Sequence, residues 1–181
     1  MGARRNTILG LATIAAFVAT GLLANAGAQE RGGAPGSAEI DYPGFAAMTD
    51  DVMAYRDTRL VSLDDFNAMK DEPDTIILDT RSAMAFEMGH IDGAIHLNFS
   101  DFTDEKLADV IPSKGTRILI YCNNNFEDDV EPIVLKRAPL ALNIPTFINL
   151  YGYGYENVYE LGELVTTTDE DVNWVSTLQT P

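Results

Sequence analysis

Short apolar runs alternate with amphipathic segments from about residue 60 onward, and this pattern predicts the secondary structure. Runs rich in aliphatic and β-branched residues predict four strands: 75–79, 94–97, 118–121 and 158–161. Segments with helical spacing predict four helices: 62–69, 82–89, 103–110 and 140–151. Alternating strands and helices predict an α/β domain with a mainly parallel sheet.

Polar and helix-breaking residues mark the ends of the predicted helices. Ser62 followed three residues later by Asp65 has the capping-box arrangement, with aspartate in place of the usual glutamate. Thr103 can cap the start of the helix that Pro112 closes. Gly89 can end the preceding helix. These signals therefore support the helices that the apolar spacing predicts.

The first residues have the features of an export signal. Arg4 and Arg5 precede an uncharged apolar run over 8–24, and small residues then offer cleavage after Ala26 or Ala28. The competing interpretation is a retained membrane anchor, because a run of 17 residues is near the lower limit for a span. We expect cleavage and a periplasmic or secreted protein.

Composition divides the chain into three parts. Residues 1–28 form the predicted signal peptide. Residues 29–58 form a predicted flexible tether and N-terminal extension, and Gly, Pro and Ala are concentrated at 29–37. Residues 59–175 carry the alternating pattern, and they are long enough for one domain with its own core.

The chain is strongly acidic. It has 28 Asp and Glu against 12 Lys and Arg, a formal net charge of −16, which becomes −18 when Arg4 and Arg5 leave with the signal peptide. Such a surface repels nucleic acid and anionic membranes. We therefore expect neither as a partner of the mature protein.

Cys122 is the only cysteine, and it follows directly on the apolar run 118–121. A single thiol cannot form an internal disulfide. At the carboxyl end of a strand in an open α/β sheet, its side chain would lie where such sheets bind ligands. Cys122 is therefore the candidate catalytic residue, and the alternative is a small buried hydrophobic residue without chemistry.

An ordered series of motifs resembles the rhodanese-like domain family. It contains Asp79-Thr80-Arg81-Ser82, then Gly89-His90-Ile91-Asp92-Gly93-Ala94, then a cysteine at a strand end, and the likeness covers about 59–165. The resemblance implies a central, mainly parallel sheet with helices on both faces. It implies that Cys122 takes a sulfane sulfur as a persulfide and passes it to a thiol, cyanide or a partner protein, without a cofactor.

The loop after the cysteine departs from that family. Asn123, Asn124, Asn125 and Phe126 are the candidate substrate-binding residues, because their amides can donate to a bound anion or persulfide and the phenyl ring can wall a pocket. Acids then follow instead of glycine or basic residues. An arginine-dependent cysteine phosphatase is excluded, because Asp128 occupies the position where arginine would hold phosphate.

The distance from the cysteine to the last strand predicts an insertion at about 126–139. It contains Lys136 and Arg137, the basic pair nearest to the cysteine in the sequence. The pair is a candidate source of positive charge for the site, and the alternative is a solvated surface pair.

Three further residues are candidates for structural support of the site. Asp79 and Arg81 can form an ion pair, and His90 can hydrogen-bond to the backbone of its turn. His90 and His96 are six residues apart, which is not a usual metal-ligand spacing, so no metal site is predicted.

Two functions remain open from the sequence. The first is an exported sulfurtransferase-like protein that carries sulfur on Cys122. Its partners would be a small sulfur donor or a thiol or persulfide acceptor, and one of them could be a protein. The second is a binding or redox-sensing module of the same fold without turnover. The retained cysteine favours the first, and the altered loop favours the second.

Overall fold

A computed structural model of the protein describes residues 38–177. The predicted signal peptide and the 29–37 tether lie outside the described residues. Residues 38–40 belong to an N-terminal unit, and the chain from Asp41 onward forms a second unit that holds every element described below. Within 38–177, no helix combines the length and the apolar character that crossing a membrane requires.

The described residues of this second unit contain five α-helices and seven β-strands. The helices are α1 Tyr42–Arg56, α2 Leu63–Lys70, α3 Ala83–Met88, α4 Asp104–Val110 and α5 Asn143–Gly152. The strands are β1 Leu60–Val61, β2 Thr75–Asp79, β3 His90–Ile91, β4 Ala94–His96, β5 Arg117–Tyr121, β6 Val158–Leu161 and β7 Trp174–Val175.

The central sheet has five strands in the order β1-β6-β5-β2-β4, and every neighbouring pair is parallel. Strand β2 lies between β5 and β4, and its residue Ile77 pairs with Leu119 of β5 and with Ala94 of β4. Strands β3 and β7 form a separate antiparallel pair. The carboxyl ends of β2 and β5 therefore meet at one edge of the sheet.

Alternation along the strands divides the core into two clusters, one on each face of the sheet. Ile118 and Ile120 of β5 pack with Val52 of α1 and with apolar residues of α4 and α5. Leu119 and Tyr121 pack on the other face with residues of α2. Helices therefore cover both faces, as a sheet of buried parallel strands requires.

Side-chain caps fix the starts of three helices. The hydroxyl oxygens of Ser62, Ser82 and Thr103 each accept a hydrogen bond from the backbone N–H three residues later, at 3.1–3.2 Å. Each cap satisfies a donor that the first turn of a helix leaves free, which stabilises the helix by about 1 kcal/mol.

Two glycines shape the connection between α3 and β4. Gly93 has φ +83°, a backbone conformation that residues with a Cβ rarely adopt. Gly89 lies against the indole of Trp174, so that a Cβ there would come within 2.6 Å of the ring atom Cε2. The Gly-x-x-x-Gly spacing of this segment therefore has two separate steric causes.

The four predicted strands and four predicted helices are confirmed, with ends that differ by up to three residues. Helix α5, for example, begins at Asn143 instead of residue 140. The sequence pattern did not predict α1, which forms within the N-terminal extension, the edge strand β1, or the short β3–β7 pair.

Candidate active site

Cys122 lies directly after β5, at the carboxyl edge of the sheet, and is only 2% exposed. A single 3-10 turn, Asn123–Asn125, follows it at once. The side chain of Asn125 closes this turn, since its Oδ1 accepts the Cys122 backbone N–H at 2.9 Å. Its Nδ2 donates to the Leu161 carbonyl at 2.7 Å, which attaches the turn to the end of β6.

Cys122 lines a cavity of about 360 Å³. Helix α1 forms one wall with Thr49, Val52, Met53 and Arg56. Helix α5 contributes the apolar side chains of Ile144, Phe147 and Ile148. The cavity is therefore bounded by the N-terminal extension as well as by the domain that carries the cysteine.

An ion pair lies in the wall of this cavity. The Arg56 guanidinium donates from Nε to Glu160 Oε2 at 2.7 Å and from Nη2 to Oε1 at 2.8 Å. Glu160 is 7% exposed, whereas Arg56 is half-buried. The hydrogen bond to Glu160 raises the pKa of Arg56, although burial opposes this. Two-point contacts of this kind are the strongest that arginine makes with a carboxylate.

Asn143, the first residue of α5, connects the ion pair to the cysteine turn. Its Nδ2 donates to Glu160 Oε1 at 3.2 Å and to Asn125 Oδ1 at 3.1 Å. Both partners are acceptors, which fixes the orientation of the amide. The Asn143 Oδ1 atom is buried and has no hydrogen-bond donor among the described residues.

The Cys122 thiol has a raised pKa. Burial is the largest cause, and the Glu160 carboxylate raises the pKa further. The backbone N–H groups of Asn143, Asn124 and Leu142 lower it, because they stabilise the thiolate. The site therefore has the N–H groups that an anionic sulfur requires, but burial favours the protonated thiol at neutral pH.

The first two asparagines of the turn bind the insertion. Asn124 donates from Nδ2 to the Lys136 carbonyl at 2.7 Å and accepts the Lys136 N–H at 3.2 Å. Asn123 donates to the Val134 carbonyl at 3.1 Å. Their amide groups hold residues 134–136 beside the turn. Of the three predicted asparagines, Asn124 and Asn125 line the Cys122 cavity, and their contact with a substrate stays a prediction.

Phe126 is fully buried and does not line the cavity. Its ring packs edge-on against Tyr121 and Trp174, with centroids 6.0 and 5.0 Å away. A contact between Phe126 and substrate would require the ring to leave this core. The structure therefore places Phe126 as a packing residue of the core.

Neither the basic pair nor the acids of the insertion line the Cys122 cavity. Lys136 lines a second cavity, of about 300 Å³, and Arg137 is exposed and lines neither cavity. Asp128 accepts the Thr167 N–H at 2.9 Å, and Asp129 accepts the Leu135 N–H at 3.1 Å. Arg56, which the sequence analysis did not select, is the basic residue in the wall of the Cys122 cavity.

The three candidate support residues lie under the same edge of the sheet. Arg81 Nη2 pairs with Asp79 Oδ2 at 2.5 Å, and both side chains are buried. The Tyr121 hydroxyl donates to the same oxygen, also at 2.5 Å. His90 Nδ1 hydrogen-bonds to the Phe86 carbonyl at 2.7 Å. These contacts join β2, β5 and α3 behind the cysteine turn.

The second histidine is also engaged with the backbone. His96 Nε2 lies 2.9 Å from the Arg81 carbonyl oxygen. Within residues 38–177, no three His, Cys, Asp or Glu side chains are grouped as metal ligands would be.

Three residues of the site were not among those predicted from the sequence: Arg56, Asn143 and Glu160. Glu160 had a signal, because it is the one charge within the apolar strand 158–161 and buried charges need a partner. Arg56 and Asn143 had none, since long-range packing brings them to the cysteine.

The sequence profile described as Rhodanese-like domain matches residues 62–162, more than half of the chain. The chain therefore belongs to the rhodanese-like domain family, a sulfurtransferase-like family with the α/β fold described above. The matched segment begins after α1, so Arg56 and the α1 wall of the cavity lie outside it.

Two named proteins have related sequences. The tRNA uridine(34) hydroxylase of Cytophaga hutchinsonii is 32% identical over 99 residues, which are 54% of this chain and 27% of that protein. The adenylyltransferase and sulfurtransferase uba4 of Sclerotinia sclerotiorum is 23% identical over 113 residues, 59% of this chain and 25% of that protein. The chain thus matches only about a quarter of the length of either relative.

Two solved structures are similar in fold. The BH2092 protein of Bacillus halodurans has a TM-score of 0.43 and 18% identity, over 62% of this chain and 73% of that one. The thiosulfate sulfurtransferase of Pseudomonas aeruginosa has a TM-score of 0.45 and 20% identity, over 68% of this chain and 21% of that one.

Proposed function

We propose that the protein is a sulfurtransferase that carries a sulfane sulfur as a persulfide on Cys122. The observation that supports this most directly is the position of the thiol. Cys122 lies at the carboxyl edge of a parallel sheet, lines a cavity, and has three backbone N–H groups that favour its anion. A persulfide anion has the same charge as the thiolate and can use the same N–H groups.

The transfer consists of two sulfur exchanges. The Cys122 thiolate attacks the outer sulfur of a donor, a new S–S bond forms, and the donor's own bond to that sulfur breaks. An acceptor nucleophile then attacks the terminal sulfur of the persulfide, and the Cys122 thiolate leaves. In each exchange the attacking anion is consumed and the leaving sulfur or sulfite group departs as an anion. The number of electrons is therefore unchanged, and neither step requires an oxidant.

Intact mass after incubation with persulfide and thiosulfate donors tests the proposal. We expect the gain of one sulfur atom, its loss on addition of a thiol acceptor, and neither change in Cys122→Ser. Because Cys122 is the only cysteine, the serine variant removes every thiol from the protein. No sulfur gain from any donor would contradict sulfur transfer.

A binding or redox-sensing module is the second candidate function. The raised pKa of Cys122 favours the binding form of this module, because a protonated thiol is a poor nucleophile and is slow to oxidise. A binding module would bind its partner equally well as wild type and as Cys122→Ser, whereas a redox-sensing module would lose its response to oxidant in Cys122→Ser; neither would show turnover.

We also propose that the protein is exported to the periplasm or beyond, on the strength of residues 1–28. The amino-terminal sequence of protein recovered from the exported fraction tests this. We expect it to begin at residue 27 or 29. An intact residue 1 on membrane-bound protein would indicate the retained anchor instead.

A further inference from the structure

We infer that Cys122 accepts its sulfur from a small organic persulfide whose body is apolar and carries no charge, in preference to a donor with a further negative charge such as thiosulfate. This inference rests on the proposed sulfur transfer and assigns its donor class. The lining of the Cys122 cavity supports each part of that description.

The apolar body follows from the two helices that face each other across the cavity. Val52 and Met53 of α1 oppose Ile144, Phe147 and Ile148 of α5. The volume of about 360 Å³ is within the range of small-molecule sites. Apolar walls favour an apolar occupant because its surface leaves water on binding.

The absence of charge on the donor's body follows from the Arg56–Glu160 pair. These two residues carry opposite formal charges, and they are the only Asp, Glu, Lys or Arg side chains that line the cavity among the described residues. An additional anionic group on the donor must compete with Glu160 for the guanidinium and must lie near the carboxylate. A dianion such as thiosulfate has the largest cost, because the cavity offers it no surplus positive charge.

The transfer from an organic persulfide R–S–S–H is balanced within the two molecules. The Cys122 sulfur bonds to the outer sulfur, and the bond between that sulfur and R–S breaks. The R–S group takes up the proton that the Cys122 thiol releases. The products are the Cys122 persulfide and the thiol R–S–H, and no other reactant is required.

Two matched donors test the inference on the full-length protein. The methyl ester of N-acetylcysteine persulfide has no charge apart from that of its acidic persulfide group, whereas N-acetylcysteine persulfide carries one further carboxylate. We expect the ester to load Cys122 about fivefold faster or more, as one unfavourable charge contact of roughly 1 kcal/mol implies, and thiosulfate to load it most slowly. Intact mass against time gives the three rates.

A charge added to α1 tests whether the cavity is the cause. Met53 lines the cavity and is 58% exposed, so Met53→Lys adds a cation without burying it. We expect the ratio of ester to acid loading to fall in this variant. Leu164→Lys is the matched control, because Leu164 is 61% exposed, lines neither cavity, and receives the same charge.

The outcomes separate the donor class from the proposed function. Loading by the acid or by thiosulfate as fast as by the ester overturns the donor class and leaves sulfur transfer in place. Equal ratios in Met53→Lys and Leu164→Lys overturn the role of the cavity charge. No loading by any donor overturns both proposals, since the donor class then has no reaction to serve.

Discussion

At the scale of single residues, the reactivity of Cys122 is set by groups that oppose each other. Burial and the Glu160 charge favour the thiol, and the backbone N–H groups of Asn143, Asn124 and Leu142 favour the thiolate. Since the thiolate is the nucleophile, a raised pKa makes the sulfur slow at neutral pH and faster as the pH rises.

Replacement of Glu160 by glutamine is expected to make Cys122 more reactive. The substitution removes a negative charge that raises the pKa of the thiol and keeps a side chain of similar shape. The rate of alkylation by iodoacetamide, measured from pH 6 to pH 10, should therefore rise at lower pH than in the wild type, with a severalfold gain at neutral pH.

Two variants control this prediction. Arg56→Gln leaves the Glu160 carboxylate without its partner, so it should move the alkylation profile toward higher pH. Glu156→Gln removes an exposed carboxylate that does not line the cavity and should leave the profile unchanged. A profile that shifts in the same direction in Glu160→Gln and Arg56→Gln would contradict the electrostatic account.

At the scale of elements, sequence reasoning succeeded wherever the cause of structure is local. The caps at Ser62 and Thr103 depend on residues within one turn, and the strands depend on short apolar runs. The strand-end position of Cys122 followed from the same pattern. These features are predictable because each is decided within a few neighbouring positions.

Helix α1 and the contacts of the cysteine turn show what a local pattern omits. Helix α1 buries only Val52, so it lacks a clear apolar stripe, although Asp41 caps its start by accepting the Gly44 N–H at 2.9 Å. Its attachment depends on distant partners: Glu160 pairs with Arg56, and the ring of Tyr55 packs against residues of α5. Likewise, the Asn124 amide binds Lys136, twelve residues further along the chain, where no periodicity predicts a contact.

At the scale of the whole molecule, the edge of the sheet separates two environments. Tyr121 and Cys122 are adjacent in sequence, but the ring of Tyr121 packs in the core on the α2 face, whereas Cys122 lines the cavity between α1 and α5. The candidate chemistry lies on the face that α1 and α5 cover. On the opposite face, Asp79, Arg81 and Tyr121 form a buried hydrogen-bond network that stabilises the same edge of the sheet.

That network gives the fold a predictable response to alkaline pH. Burial, together with repulsion from Asp79, raises the pKa of Tyr121 well above its ordinary value of 10.0. The contribution of the neutral phenol to stability is therefore complete below pH 10 and is lost as the pH rises from there toward the folded-state pKa. The hydroxyl also accepts the Ile91 N–H at 3.1 Å, which favours the phenolate and lowers the pKa, but by less than burial and Asp79 raise it.

Tyr121→Phe should lower the free energy of unfolding at pH 7.5 by about 1–3 kcal/mol, because Asp79 and the Ile91 N–H each lose a buried partner. The variant should nevertheless lose less stability than the wild type above pH 10, since it has no buried phenol to ionise. Urea unfolding from pH 7.5 to pH 11 measures both effects. Tyr42→Phe, at an 80% exposed tyrosine, should follow the wild-type curve. An alkaline loss as steep in Tyr121→Phe as in the wild type would show that other groups govern it.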